Sequence, residues 1–169
     1  AYCRANRLNR IVIDSPNPRL GIITSGKSYP DVRQALDDLG IDEALAREIG
    51  IRLYKVAMTW PLEPQGAAAF ARGLKKVIVV EEKRALIETQ LKDICYGQSD
   101  MPSVVGKRDE QGATLFQSNG ALDPNQIAIA IGRRLLEFTD DAELARRVAA
   151  QESLRARAPE KPAMDRTPY

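Results

Sequence analysis

The chain has 169 residues, a length that suits one domain with a short tail. Hydrophobic residues make up 44% of it and charged residues 28%, which predicts a folded core and excludes a largely disordered chain. Its 25 basic and 23 acidic residues give a net charge of +2, so charge offers no case for binding nucleic acid. No apolar run approaches the roughly 18 residues that span a bilayer, so we expect no membrane association.

Histidine is absent, and Cys3 and Cys95 are the two cysteines. The missing histidine removes the commonest general base, the commonest metal ligand and every mechanism that pairs His with Ser or Cys. Two distant cysteines cannot hold a four-thiolate cluster. Because no secretion signal is recognisable either, we expect free thiols, a cytoplasmic location and no metal site.

The first half of the chain alternates predicted strands and helices. The apolar run 20–24 predicts a buried strand, and apolar residues at helical spacing predict a helix after it. Ser28 and Asp31 resemble a capping box at the start of that helix, and Gly40 is expected to end it. Residues 51–57 predict a second strand.

The alternation continues in the middle of the chain. A proline-broken loop is followed by a predicted short helix over residues 67–74. Four β-branched residues at 77–80 predict a central strand that is buried on both faces. An amphipathic helix is expected next, ending at Gly97, and residues 102–107 predict a weaker strand.

Strands that alternate with helices in this way indicate βαβ units and a mainly parallel sheet with helices on both faces. We therefore expect residues 1–138 to form one α/β domain, with residues 10–14 (RIVID) as a candidate extra strand. Residues 139–158 predict a charged, alanine-rich helix. The proline-rich residues 159–169 predict a linker to a following domain.

Ligands and partner surfaces of such sheets gather at the carboxyl ends of the strands. Three loops follow predicted strands here and are expected to share one edge of the sheet. We call their polar and aromatic residues the rim. The rim consists of Ser25, Gly26, Lys27, Thr59, Trp60, Glu81, Glu82, Lys83 and Arg84.

The rim residues admit both a chemical and a structural interpretation. Gly26 and Lys27 precede a helix and could bind an anion, although neither a Walker nor a dinucleotide fingerprint is present, and ordinary turn formation is favoured. Glu81 and Glu82 could act as an acid–base pair, but glutamates at a helix start are favoured by the helix dipole. Trp60 could anchor a partner or belong to the core.

Three sequence blocks in combination resemble the indolepyruvate ferredoxin oxidoreductases of the large fused type. These blocks are LGIITSGKSYPDVRQALDDLGID, IRLYKVAMTWPLEP and VIVVEEKRALIETQLKDICYG, with VVGKRDE following the third. The resemblance covers roughly residues 7–138 and concerns the transketolase C-terminal-like domain. It implies a three-layer α/β/α fold with a five-stranded mixed sheet, in which the strand at 10–14 runs antiparallel to the others.

The resemblance also implies a reaction for the parent enzyme. That reaction is the oxidative decarboxylation of aryl pyruvates to acyl-CoA and CO₂ with reduction of ferredoxin, and it uses thiamine diphosphate, Mg²⁺ and iron–sulfur clusters. The family's G-D-G…N motif and cluster cysteines are missing from this chain, so no cofactor ligand is assigned to any of its residues. A cysteine-rich segment is expected to follow a stretch like residues 166–169 (RTPY).

Two functions of different classes remain open. The favoured one is an accessory domain that orders the catalytic domains of the parent enzyme, whose other partners would be ferredoxin and coenzyme A. A more specific version has Lys27, Lys83 and Arg84 holding coenzyme A phosphates. The alternative is a non-catalytic α/β module for binding or dimerisation, with a homodimer as its simplest form. In either case the rim is expected to be a contact surface more than an active site.

Overall fold

A computed structural model of the chain describes residues 2–157. Within them a five-stranded sheet is connected by helices, as the βαβ pattern predicts. The elements in chain order are α1 (Tyr2–Ala5), β1 (Arg10–Ile13), β2 (Leu20–Ser25), α2 (Ser28–Asp38), α3 (Glu43–Glu48), β3 (Ile51–Val56), α4 (Pro64–Ala71), β4 (Lys76–Val80), α5 (Leu86–Cys95), β5 (Ser103–Val105), α6 (Pro124–Leu135) and α7 (Ala142–Arg157).

The strands lie in the order β1-β3-β2-β4-β5. Strands β2 to β5 are parallel, and β1 pairs antiparallel with β3. The predicted extra strand and its direction are therefore confirmed. In the parallel register Ser25 pairs with Val56 and Thr24 with Val80, so the carboxyl ends of β2, β3 and β4 meet at one edge of the sheet.

The sheet has an apolar core on each face, which confirms the three-layer α/β/α fold. Ile22, Leu53 and Ile78 face one core, which α2, α3 and α6 cover. Ile23 and Val79 face the other core, which α4 and α5 cover. Because neighbouring residues of one strand point to opposite faces, a strand with helices on both sides needs an unbroken apolar run. The sequences of β2 and β4 provide such runs.

The predicted capping box of α2 is wrong. Ser28 is the first residue of the helix, and Lys27 occupies the cap position with a helical backbone (φ −62°, ψ −32°) and no side-chain cap bond. Gly26 makes the turn with φ +51°, so the chain is already helical before a serine cap could form. The Asp31 carboxylate instead accepts a hydrogen bond of 2.7 Å from Lys27 Nζ. Gly40 follows the helix with φ +66°, as expected of a stop signal.

The bounds of α4 also differ from the prediction of 67–74. Glu63 caps the helix by accepting hydrogen bonds from the backbone N–H groups of Gln65 and Gly66, so the helix starts at Pro64. It ends at Ala71 because the chain turns at Gly73, where φ is +79°.

The charged helix predicted at 139–158 forms as α7 and packs along α6. Leu144 and Val148 join the core that faces α2 and α6. The fit is close, since a β-carbon at Gly132 would collide with Val148 Cγ2. The boundary at residue 138 stays a prediction, and the predicted linker 159–169 lies outside the described residues. No helix in the described part is both long and apolar enough to span a membrane.

Candidate functional site: a cleft at the carboxyl edge of the sheet

The connections on either side of β2 and β4 run on opposite faces of the sheet. From β2 the chain passes through α2 to β3, and from β4 it passes through α5 to β5 on the other face. Adjacent strands whose connections diverge leave a crevice beyond their carboxyl ends, and ligands of open α/β sheets bind in such crevices. The topology therefore places the candidate site between the β2–α2 and β4–α5 loops.

A cleft of about 490 Å³ occupies this position. Eight of the nine rim residues line it, and Ser28 and Leu86 line it as well. Trp60 is the rim residue that does not. The cleft-lining residues are Ser25, Gly26, Lys27, Ser28, Thr59, Glu81, Glu82, Lys83, Arg84 and Leu86.

Glu81 is a helix cap rather than a free acid. Its side chain is 6% exposed and accepts hydrogen bonds of 2.8–3.1 Å from the backbone N–H groups of Leu86, Ile87 and Glu88. Burial raises the pKa of Glu81, although the three N–H groups and Lys107 act to lower it. A carboxylate with these contacts holds the first turn of α5 and leaves little capacity to transfer a proton to a ligand.

Lys107 contacts both Glu81 and Glu88, an arrangement that the sequence did not predict. Lys107 Nζ donates a 2.6 Å hydrogen bond to the Glu81 carbonyl, and the backbone N–H of Lys107 donates to Glu88 Oε2 at 2.8 Å. Burial lowers the pKa of Lys107, against the nearby carboxylates, which raise it. These contacts join residues that are 19 to 26 positions apart. Residues so far apart form no local sequence motif that could be recognised.

The cations of the cleft differ in their partners. Lys27 Nζ lies 2.7 Å from Asp31 Oδ2 and 3.6 Å from Glu82 Oε1, and these carboxylates raise the pKa of Lys27. Lys83 and Arg84 are exposed and form no ion pair within residues 2–157. Lys83 also adopts φ +55°, a conformation that costs a residue with a β-carbon free energy.

Trp60 lies on the surface beside the cleft. It is 68% exposed, which rules out the core position that the sequence left open. Gln90 of α5 fixes its loop, because the Gln90 amide donates to the Thr59 carbonyl at 2.9 Å and accepts from the Leu62 N–H at 2.7 Å. Leu86, on the first turn of α5, is also exposed. The loop and this turn therefore present apolar surface from two connected segments.

A larger cavity of about 880 Å³ lies at the opposite edge of the sheet. Glu110 there is 2.6 Å from Lys76 Nζ and 2.7 Å from Arg134 Nη2, and Glu137 is 2.7 Å from Lys76 Nζ. Burial alone would raise the pKa of Glu110, but the bonds from Lys76 and Arg134 outweigh it and lower the pKa to about 2. Because the charged side chains named here are paired with one another, we assign this cavity a structural role. The smaller cleft remains the candidate functional site.

The described residues do not fit a resident metal or iron–sulfur cluster. They contain no group of three or more His, Cys, Asp or Glu side chains placed to hold a metal ion. Cys3 and Cys95 are free and buried, and burial raises the pKa of the Cys95 thiol. A buried thiol with a raised pKa is a poor nucleophile and a poor ligand.

Thr24, beside the cleft-lining Ser25, carries a testable feature. It is fully buried, and its Oγ1 has no hydrogen-bond partner among the described residues. Thr24→Val removes this unpaired hydroxyl and keeps the volume, so we expect the free energy of unfolding to rise by about 1 kcal/mol. Urea unfolding followed by far-ultraviolet circular dichroism measures this, since the exposed Trp60 is a poor probe of the core.

The matched control is Thr24→Ser, which keeps the hydroxyl and loses a buried methyl group. We expect it to lower the free energy of unfolding by about 1 kcal/mol. A loss of stability in Thr24→Val would show instead that the hydroxyl makes a stabilising hydrogen bond.

The fold and the cleft define a class of protein: a three-layer α/β domain with a polar crevice at a topological switch point. The sequence profile of the indolepyruvate oxidoreductase domain matches residues 10–158. The chain belongs to this family. The profile continues past Phe138 and includes the whole of α7.

Curated relatives carry the same description. The chain is 31% identical over 104 residues to the indolepyruvate oxidoreductase subunit IorA of Methanothermobacter marburgensis, covering 62% of this chain and 16% of that protein. It is 30% identical over 89 residues to IorA of Thermococcus kodakarensis, covering 53% and 13%. The chain therefore spans about one sixth of the length of these relatives or less.

Two solved structures are similar at lower identity. A 2-oxoglutarate:ferredoxin oxidoreductase from Magnetococcus marinus, with 2-oxoglutarate, coenzyme A and succinyl-CoA bound, superposes with a TM-score of 0.48 at 19% identity, over 75% of this chain and 19% of that one. A split-gene transketolase, an inactive β4 tetramer, gives a TM-score of 0.49 at 16% identity, over 78% and 42%.

Proposed function

We propose that this domain is an accessory part of a 2-oxoacid:ferredoxin oxidoreductase of the indolepyruvate type. Other domains of that enzyme bind thiamine diphosphate, Mg²⁺ and iron–sulfur clusters and oxidise aryl pyruvates to acyl-CoA, with coenzyme A and ferredoxin as their substrates. The domain described here orders those domains and takes no part in the electron transfer. The family match over residues 10–158 is the observation that carries the proposal.

The chemistry of the cleft supports a role without catalysis. Histidine is absent, and the best-placed carboxylate, Glu81, is occupied by three backbone N–H groups. Glu82 lies within ion-pair distance of Lys27. A general acid or base needs a group that can reach a substrate and change its protonation state. Glu81 is held by the α5 backbone, and the Glu82 Oε1 atom is buried away from solvent.

The surface next to the cleft supports contact with other domains. Exposed tryptophan is rare on surfaces that face only solvent, and tryptophan is enriched among residues that dominate interface energies. Trp60 is held in place by a loop that Gln90 fixes to α5, so little conformational entropy is lost when it is covered. We infer that Trp60 and Leu86 pack against another domain of the parent enzyme.

A photo-cross-linking amino acid at position 60 of the parent enzyme tests this contact. We expect cross-links to a thiamine-binding domain or a neighbouring catalytic subunit, identified by mass spectrometry. The matched control places the same amino acid at position 154, since Leu154 is also exposed but lies on α7. Cross-links only to a second copy of this domain would favour a dimerisation module, and none at position 60 would contradict the proposal.

A further inference from the structure

The amino end of α2 opens into the cleft without a side-chain cap. Helix α2 has 11 residues, and Lys27 at its cap position makes no side-chain cap bond. The backbone N–H groups of Gly26, Lys27 and Ser28 donate to no backbone carbonyl of the described residues, whereas the N–H of Tyr29 is bonded to the Gly26 carbonyl. Three donors at a helix start, where the helix dipole is positive, favour an anion.

The backbone around Gly26 makes these donors converge. Gly26 has φ +51°, in the left-handed region, and Lys27 follows in the right-handed helical region. Successive residues of opposite hand turn their N–H groups toward a common concavity, an arrangement that binds anions in other proteins. A β-carbon at Gly26 would meet nothing within 4 Å, so no neighbouring atom fills the space beside this residue, which lines the cleft.

Ser28 provides an independent indication of a ligand. It is 2% exposed, yet it lines the cleft, and its hydroxyl has no hydrogen-bond partner among the described residues. The hydroxyl is not among the fully enclosed unpartnered groups of the described residues, so it reaches the cleft, where it can donate to a ligand oxygen. The sequence assigned this serine to helix capping, a role that the structure excludes.

Two of the cations that line the cleft have no carboxylate partner among the described residues, whereas the third, Lys27, is paired with Asp31. The cleft lining contains three cations, Lys27, Lys83 and Arg84, and two carboxylates, Glu81 and Glu82. The Glu81 carboxylate is turned to the N–H groups of α5. Glu82 Oε1 lies 3.6 Å from Lys27 Nζ and accepts no hydrogen bond among the described residues. Lys83 and Arg84 therefore remain to balance an incoming negative charge from the opposite wall. Arginine and lysine are the usual partners of phosphate oxygens.

We propose that this cleft binds a phosphate group, either free or as part of a phosphate ester. The N–H groups of residues 26–28 and the Ser28 hydroxyl hold the oxygens from one wall, while Lys83 and Arg84 neutralise the charge from the other. The proposed phosphate site depends only on the geometry of the cleft. The result of a binding test therefore does not decide whether the domain has the accessory role.

Amide chemical shifts of the ¹⁵N-labelled chain test the site directly. The chain is titrated at constant ionic strength with inorganic phosphate, ADP and coenzyme A in separate arms. We expect saturable shifts at the amides of Gly26, Lys27 and Ser28. Tighter binding of ADP and coenzyme A than of phosphate assigns the site to a nucleotide ligand, and equal affinities assign it to free phosphate. Absence of saturable shifts in all three arms overturns the proposal.

Charge variants at the two ends of β4 separate the site from general attraction of anions. Lys83→Gln and Arg84→Gln should each weaken binding about tenfold, because each removes a charge beside the ligand. Lys75→Gln makes the same change of charge at the opposite edge of the sheet and should leave the affinity unchanged. Ser28→Ala should weaken binding about threefold. Equal losses in Lys83→Gln and Lys75→Gln would contradict a defined site.

Discussion

Replacing Glu81 with alanine is expected to lower the free energy of unfolding by about 3 kcal/mol. The substitution leaves three backbone N–H groups at the start of α5 without an acceptor, those of Leu86, Ile87 and Glu88. The bonds to Ile87 and Glu88 are buried, and a buried donor without a partner costs about 1–3 kcal/mol. Because Glu81 also lies against Lys107, its loss leaves that half-buried cation with less compensating charge.

Glu82 provides the matched control, since it is the next residue of the same loop and receives no backbone hydrogen bond. Glu82→Ala should change the free energy of unfolding by less than about 1 kcal/mol. Glu81→Gln should fall between the two, because an amide oxygen can still accept from α5. Equilibrium urea unfolding measures all three variants. Equal effects of Glu81→Ala and Glu82→Ala would show that Glu81 is not the cap of α5.

Replacing Glu110 with glutamine is expected to lower the free energy of unfolding by about 2 kcal/mol at neutral pH. Arg134 is 5% exposed, and removing the negative charge leaves its guanidinium buried beside a neutral amide. Lys76 keeps Glu137 as a partner, which limits the loss. Part of the Coulombic gain is screened by solvent, since the Glu110 side chain is 25% exposed.

The effect of Glu110→Gln should depend on pH in a defined direction. The folded protein holds the pKa of Glu110 at about 2, below its ordinary value of 4.5. The stability that the carboxylate contributes is therefore complete above pH 4.5 and is lost as the pH falls toward 2. The stability difference between wild type and Glu110→Gln should shrink over that range. A difference that stays constant from pH 7 to about 2 would contradict this account.

Glu143→Gln is a control for exposed ion pairs. The pKa of Glu143 is also lowered to about 2, first through hydrogen bonds from Arg146 and Arg147, but the group is fully exposed. Solvent and salt screen such pairs. We therefore expect Glu143→Gln to change the free energy of unfolding much less than Glu110→Gln, and this change should disappear at high ionic strength.

The sheet could be predicted from the sequence because its central strands are buried on both faces. Runs such as residues 77–80 contain only β-branched apolar residues, and few other structures require that pattern. The carboxyl-edge rule then placed the three loops of the rim together. The direction of β1 could not be predicted from its residues. Four residues of mixed exposure do not indicate whether a strand runs parallel or antiparallel to its neighbour. Only the family resemblance implied it.

The roles of individual rim residues could not be predicted in the same way. Whether a serine caps a helix depends on the backbone of the residue before it, and the helical conformation of Lys27 leaves Ser28 free to line the cleft. Glu81 caps a helix that begins five residues later, at Leu86, outside the spacing of known capping motifs. The pairing of Glu110 with Arg134 spans 24 residues and depends on the path of the intervening chain.

We propose that this domain supports a 2-oxoacid:ferredoxin oxidoreductase without performing its redox chemistry. The decisive measurement is the rate of ferredoxin reduction by an aryl pyruvate, with thiamine diphosphate, Mg²⁺ and coenzyme A present. The assay compares the purified chain, the parent enzyme lacking this domain, and the two together. We predict no reduction by the chain alone, a low rate for the truncated enzyme and recovery of the rate when both are mixed. Ferredoxin reduction by the purified chain alone, or a truncated enzyme as active as the complete one, would contradict the account.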